Sequence, residues 1–273
     1  MAHTVVFFHA HPDDEALLTS GTMAKLAGLG HRVVLVVATA GESGLAADRL
    51  RAGGRLGDTR TAELRSSAEA LGVSRVELLG YADSGLATEP TPPPPSGRLP
   101  RLADADVPEA AGRVAEILTE ERAVVLTSYD ANGGYGHPDH VAVHRIGALA
   151  AQLAGTPVVL EATVPRDRLL AAARLVNQML PPSRRVDLRP WERAYSASAE
   201  VTHCIDVRRQ AGARRASMRA HASQATADSG PRSLGVFTRI PSPVFGRVFG
   251  REWYRQADAP VADRRYPSIF ATL

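Results

Sequence analysis

His9-Ala10-His11-Pro12-Asp13-Asp14-Glu15 packs two imidazoles and three carboxylates into seven consecutive residues. Carboxylates this dense repel one another unless a cation neutralises them or some take up protons. A second cluster, His137-Pro138-Asp139-His140, lies more than a hundred residues further on. Together they offer the donors of a catalytic metal site, in which three nitrogen or carboxylate ligands leave a position for water. His11 and Asp14 are three residues apart, so at the start of a helix both can face one point. A His of the second cluster completes a His-Asp-His set, and the same donors suit iron(II) as well as zinc. Asp13 is then a spare carboxylate, available as general base beside a metal-bound water. The remaining His of the second cluster would face the reacting carbonyl, and Asp139 would orient a His or raise its pKa. One His-x-x-Asp alone carries no such meaning. Two clusters, each at a strand-to-helix junction, do.

The elements that must position these residues alternate. Residues 4–8 are β-branched and aromatic, as a buried parallel strand requires, and 32–38 are a second such run. A helix predicted over 16–30 and closed by Gly30 joins them into a βαβ unit. Residues 45–56 resist assignment. Helices follow over 59–71, 107–121 and 140–154, with strands over 75–79, 123–127 and 158–161. The stretch 80–103 reads as a long loop carrying Asp83-Ser84-Gly85 and the proline run Pro92 to Pro95. The pattern predicts an α/β fold with a Rossmann-like parallel sheet of order 3-2-1-4-5, flanked by helices. In such sheets sites form beyond the carboxyl ends of the strands, where the order reverses. The first and fourth strands adjoin there, so the two clusters meet.

From Pro165 the alternation weakens. Helices are predicted over 166–180 and 210–225 and a strand over 201–207, while 181–199 is loop-rich and 229–250 is rich in Gly, Pro and Ser. Residues 1–164 read as the catalytic core. Residues 165–273 read as a smaller C-terminal lobe packed on it in one structural unit, contributing to the substrate pocket.

Composition narrows the function classes. With 273 residues, 44% of them apolar, the chain can bury a sizeable core. The net charge of +3 comes from an arginine-rich surface without a basic stripe interleaved with aromatics, which argues against nucleic-acid binding. A single cysteine, Cys204, excludes an intrachain disulfide and a cysteine zinc site, and it reads as a core thiol. No signal segment and no run of membrane-spanning length is visible, so a cytoplasmic protein is expected.

HAHPDDE together with GYGHPDH resembles the LmbE-like, or PIG-L-type, zinc-dependent N-deacetylases, and the resemblance covers most of the chain. Weaker similarities are Arg60-Thr61-Ala62-Glu63-Leu64, Asp83-Ser84-Gly85 and Arg219-Ala220-His221-Ala222-Ser223-Gln224. The resemblance implies a zinc-dependent hydrolase that removes an N-acetyl group from an amino-sugar-containing small molecule. It implies His11, Asp14 and His140 as zinc ligands, Asp13 as general base, and His137 as general acid or oxyanion donor with Asp139 tuning it. It implies a mobile Tyr135, and Arg60 and Asp83 as substrate contacts. Two alternatives remain: a thiol-conjugate amidase of the same family, and a metal- or sugar-binding module without catalysis. The proline-rich loop and the C-terminal lobe match the family weakly, and both bear on substrate choice. His9 reads as structural or as support behind the ligands, and His144 as a helix-face His near the site. Trp191, Trp253 and Tyr254 read as packing or pocket wall, and the roles of His221 and Gln224 stay open.

Overall fold

Val5, Val6, Phe7 and Phe8 of β1 (Thr4–His9) are fully buried, because side chains alternate between the faces of a sheet and here both faces are covered. A computed structural model describes residues 1–44, 56–86, 99–225, 234–259 and 264–273. Most of the unassigned segment and the proline run Pro92 to Pro95 lie outside the described residues. β1 is flanked by β2 (Arg32–Thr39) and β5 (Val125–Tyr129), both parallel to it. β3 (Arg75–Ala82) pairs with β2, and β6 (Val158–Thr163) with β5. These five strands stand in the predicted order, and β1 and β5 adjoin at the reversal.

The sheet is larger than predicted, with eight strands in the order β4-β3-β2-β1-β5-β6-β8-β7. β4 (Leu99–Arg101) extends one edge within the stretch read as loop. At the other edge β7 (His203–Asp206) and β8 (Arg251–Arg255) add antiparallel strands, so the C-terminal residues build sheet as well as cover it.

Six named helices matter for the site, besides one at the far edge. α1 (Asp14–Leu18) and α2 (Ser20–Gly28) replace the single helix expected over 16–30. The break falls at Thr19, whose hydroxyl is tied to His9 Nε2 at 2.8 Å. α3 (Leu56–Leu71) covers the β2 side together with α2, and Met23, Leu26, Leu64 and Leu71 pack on Val5, Phe7 and Leu35. α4 (Val107–Glu120) and α5 (Pro138–Ala154) cover the opposite face, where Ala111, Val114, Val143 and Ile146 meet Val6, Phe8 and Val36. α6 (Arg166–Met179) lies at the far edge with only Leu170 buried. α7 (Ala211–Ala220) packs on α2 and α3 and stops at His221, so the helix expected over 210–225 is interrupted there. Among the described residues no helix is long and apolar enough to cross a membrane.

Candidate active site

The carboxyl ends of β1 and β5 bring the two clusters together. α5 begins at Pro138, two residues before the expected start, which leaves His137 as its N-cap. His137 Nδ1 accepts the backbone N–H of Asp139 at 3.1 Å. His140 lies one helical turn on and therefore on the same face, with the two ring centroids 5.0 Å apart.

Asp14 Oδ2 is the point of convergence. It lies 3.3 Å from His11 Nδ1 and 3.3 Å from His140 Nε2. It also accepts hydrogen bonds from Tyr129 Oη at 2.7 Å and from the His11 backbone N–H at 3.0 Å. The Tyr129 ring lies flat on His140, with centroids 4.1 Å apart, and the Ala10 backbone N–H donates to its hydroxyl. Two further sets, His11 with His137 and His140, and His11 with Asp83, His137 and Asp139, present ligand atoms within 4.8 Å of one another. Neither set includes Asp14, yet one Asp14 oxygen faces both His11 and His140.

These residues fit a metal ion on two observations. His140 is buried and neither of its ring nitrogens makes a hydrogen bond, a cost unless a cation takes their place. His11 turns the nitrogen away from Asp14 onto Asp139 Oδ2 at 3.0 Å, as metal-binding imidazoles do with their second nitrogen. Electrostatics agree. Burial works against ionised carboxylates, but His140 and His11 hold Asp14 well below the ordinary range. Asp83 and Asp139 are likewise lowered against burial, chiefly by His11.

Asp139 orients a His, as its position suggested, but that His is His11 rather than the His137 the resemblance implied, on which its carboxylate acts only through charge. Its carboxylate reaches His11 and the Ser84 backbone N–H at 3.0 Å, and only its backbone N–H meets His137. Residues two apart at a helix start point to different sides, so the Asp139 side chain cannot turn back on His137. Burial, together with the neighbouring His11 and His140, lowers the His137 pKa to about 3. With Nδ1 accepting a hydrogen bond, the neutral ring carries its proton on Nε2.

Asp13 is the N-cap of α1 in the left-handed region, with φ 105°. Burial raises its pKa to about 6 against the pull of Arg60. Arg60 is 3% exposed and donates to Asp13 Oδ1 at 3.0 Å, to the Pro12 carbonyl at 2.5 Å and to the Gly41 carbonyl at 2.6 Å. It is not a surface arginine: it braces Asp13. Gly41 is required beside it, since a Cβ there would collide with the guanidinium and its φ is 65°. Asp83 is also buried, and it accepts the backbone N–H groups of Ser43 and Gly85. Tyr135, 37% exposed, presents its ring to His140 and His137 from the open side.

Other residues resolve as support. His9 is consumed by Thr19 and Tyr129. His144 meets the Tyr129 carbonyl at 3.1 Å and Glu161. Tyr254 is fully buried and Trp253 partly so. The sequence pattern alone does not single out Tyr129, or Glu15 as the partner of His221. The signal for Glu15 was its place in the first motif, and for Tyr129 its place at the end of a site strand.

The family model described as GlcNAc-PI de-N-acetylase (PIG-L) matches residues 6–151. A 1D-myo-inositol 2-acetamido-2-deoxy-alpha-D-glucopyranoside deacetylase of Thermomonospora curvata is 35% identical, over 98% of this chain and 96% of that enzyme. N,N'-diacetylchitobiose deacetylase of Pyrococcus horikoshii superposes with TM-score 0.57 at 21% identity, covering 93% of this chain and 84% of that one. GalB, a 4-carboxy-2-hydroxymuconate hydratase of Pseudomonas putida, superposes with TM-score 0.60 at 16% identity, covering 96% and 99%. These two likenesses show the fold alone, and the different activities of the two proteins show that fold does not fix reaction.

Proposed function

We propose a reaction for a chain that belongs to the PIG-L family of GlcNAc-PI de-N-acetylases: hydrolysis of the acetamido group of an N-acetylglucosamine conjugate to acetate and the free amine. The relative from Thermomonospora curvata supports a glucosaminyl-inositol as the conjugate, since the similarity runs through nearly the whole of both chains. The reaction is assigned to the cytoplasm. The observation that carries the reading is the buried, bare His140 facing the same Asp14 oxygen as His11, with Asp13 alongside.

His11, Asp14 and His140 hold the metal in this reading, and zinc is the metal proposed. Bound there, zinc would polarise the amide carbonyl and lower the pKa of a water toward about 7. Asp13 accepts a proton from the attacking water, and its pKa of about 6 suits a base working near neutrality. Neutral His137 donates from Nε2 to the carbonyl oxygen as that oxygen gains charge. Because His137 accepts the Asp139 N–H and is held neutral, it works as hydrogen-bond donor rather than imidazolium acid. The proton for the departing amine then comes from Asp13, which returns to carboxylate. Tyr135, partly exposed beside His137 and His140, and Asp83, beside His11, are the further side chains assigned to the substrate in this reading.

The test is acetate release from N-acetylglucosaminyl-inositol, other N-acetyl amino sugars and bulkier thiol-conjugate amides, with metal analysis of the same sample. Acetate from the first group with one zinc bound is expected. Zinc bound with no acyl hydrolysis on any member would reject a catalytic role.

A further inference from the structure

Asp13 occupies a conformation that a residue with a Cβ adopts only when its surroundings hold it there. Two grips are visible. Arg60 takes the carboxylate and the preceding carbonyl from the side of α3. The second grip is on the backbone: the Asp13 N–H donates to Glu15 Oε2 at 2.9 Å. For that bond the Glu15 side chain must fold back over the start of α1, away from solvent, and it is fully buried.

What keeps Glu15 folded back comes from two distant elements. Ser67 of α3 donates to Glu15 Oε1 at 2.6 Å, and His221 Nε2 approaches the same oxygen at 2.6 Å. His221 stands at the end of α7 and is itself fully buried. Ser217, one turn earlier on α7, meets Ser67 at 2.7 Å, so α7 touches this carboxylate both directly and through a hydroxyl. Donors on both oxygens fix the plane of the Glu15 carboxylate, and with it the acceptor that Asp13 needs. Ser67 and Glu15 already belong to the parallel core, whereas His221 is contributed by the chain beyond residue 165.

We infer that His221 is a positioning residue for the reaction, acting through Glu15 to hold the backbone of Asp13 in its working conformation. The inference rests on Asp13 being the base in the reaction proposed above.

The experiment compares wild type, His221→Phe and His221→Gln with N-acetylglucosaminyl-inositol as substrate. It reads kcat, KM, zinc content and the crystal structure around Asp13. His221→Phe should lower kcat between about ten- and a hundredfold, the penalty of a misplaced catalytic group. KM and zinc content should stay within about twofold of wild type, as expected when only the chemical step is affected. Asp13 should leave the positive-φ region or shift its carboxylate. His221→Gln keeps an N–H donor and should recover much of the loss. Wild-type kcat in zinc-loaded His221→Phe overturns the inference, and so does a loss of zinc in proportion to kcat. If His221→Phe does not fold, Glu15→Gln probes the same contact from the other side. It keeps the volume but cannot accept from both sides, so kcat should fall there too, and an unchanged kcat overturns the inference. Absence of acetate release by wild type instead rejects the proposed reaction itself, a distinct outcome.

Discussion

Two His–carboxylate clusters lie on either side of Asp13-Asp14-Glu15, built from the same residue types and opposite in balance. On the β5 side, Asp14, Asp83 and Asp139 crowd around His11, with His137 and His140 next to it. Acceptors exceed donors there, and His140 keeps both nitrogens without hydrogen bonds. On the α7 side a single carboxylate, Glu15, receives Ser67, His221 and the Asp13 N–H. The first cluster calls for a cation, whereas in the second both Glu15 oxygens are met by donors, although His221 Nδ1 is left without a hydrogen bond. Burial and residue type do not distinguish a ligand cluster from a structural one; the count of donors against acceptors does.

The largest effect should come from emptying the first cluster. Chelation should reduce acetate release to background, and added zinc should restore it, read by turnover and by a metal-dependent rise in Tm. A chelator-resistant activity would erase the distinction between the clusters.

Asp13→Ala comes next. It should lower kcat by about 10²- to 10⁴-fold, the usual contribution of a general base, while zinc analysis shows the metal retained. Zinc lost together with activity would move Asp13 from the proton-transfer role into the ligand set.

The second cluster should respond in stability and with a defined pH window. His221→Phe leaves a buried carboxylate short of a partner and should cost roughly 3 kcal/mol in urea denaturation. The Glu15 pKa is lowered from 4.5, against burial, chiefly by His221, so its contribution is present above pH 4.5 and fades as pH falls through the folded value. Glu15 in turn raises the His221 pKa above 6.5 against burial, so that contribution is complete below pH 6.5 and fades as pH rises through the folded value. The stability gap between wild type and variant should therefore be widest between pH 4.5 and 6.5. A gap that does not vary with pH would mean the pair is held by packing rather than charge.

Ser217→Ala should have the smallest effect, about 1 kcal/mol, because it deletes one buried hydrogen bond while Ser67 keeps Glu15 as partner. Denaturant unfolding measures it directly.

The five parallel strands and their order were legible because each is a short apolar run between helical patterns, and handedness leaves few ways to connect them. β8 was not. Along Arg251–Arg255 the inward positions are Glu252 and Tyr254, and a buried glutamate masks the alternation a strand should show. Glu252 points inward because the Gly21 and Thr22 backbone N–H groups and Arg214 meet it there. The break at Thr19 was hidden too, since apolar spacing continues across it and the cause is a bond to His9. At the site, the motifs named His11, Asp13, Asp14, His137 and His140. They could not show that Arg60 is buried against Asp13, nor that Asp139 serves His11.

The sequence by itself determined which donors this protein owns and that two clusters of them stand at strand ends, because residue type and short spacing are local properties. Only the tertiary structure decided what each donor does. Whether an imidazole nitrogen is bare or a carboxylate is satisfied depends on partners a hundred or two hundred residues away and on the phase at which each helix begins. That is why His140 stays open to a cation, His137 is held neutral, and His221 closes on Glu15.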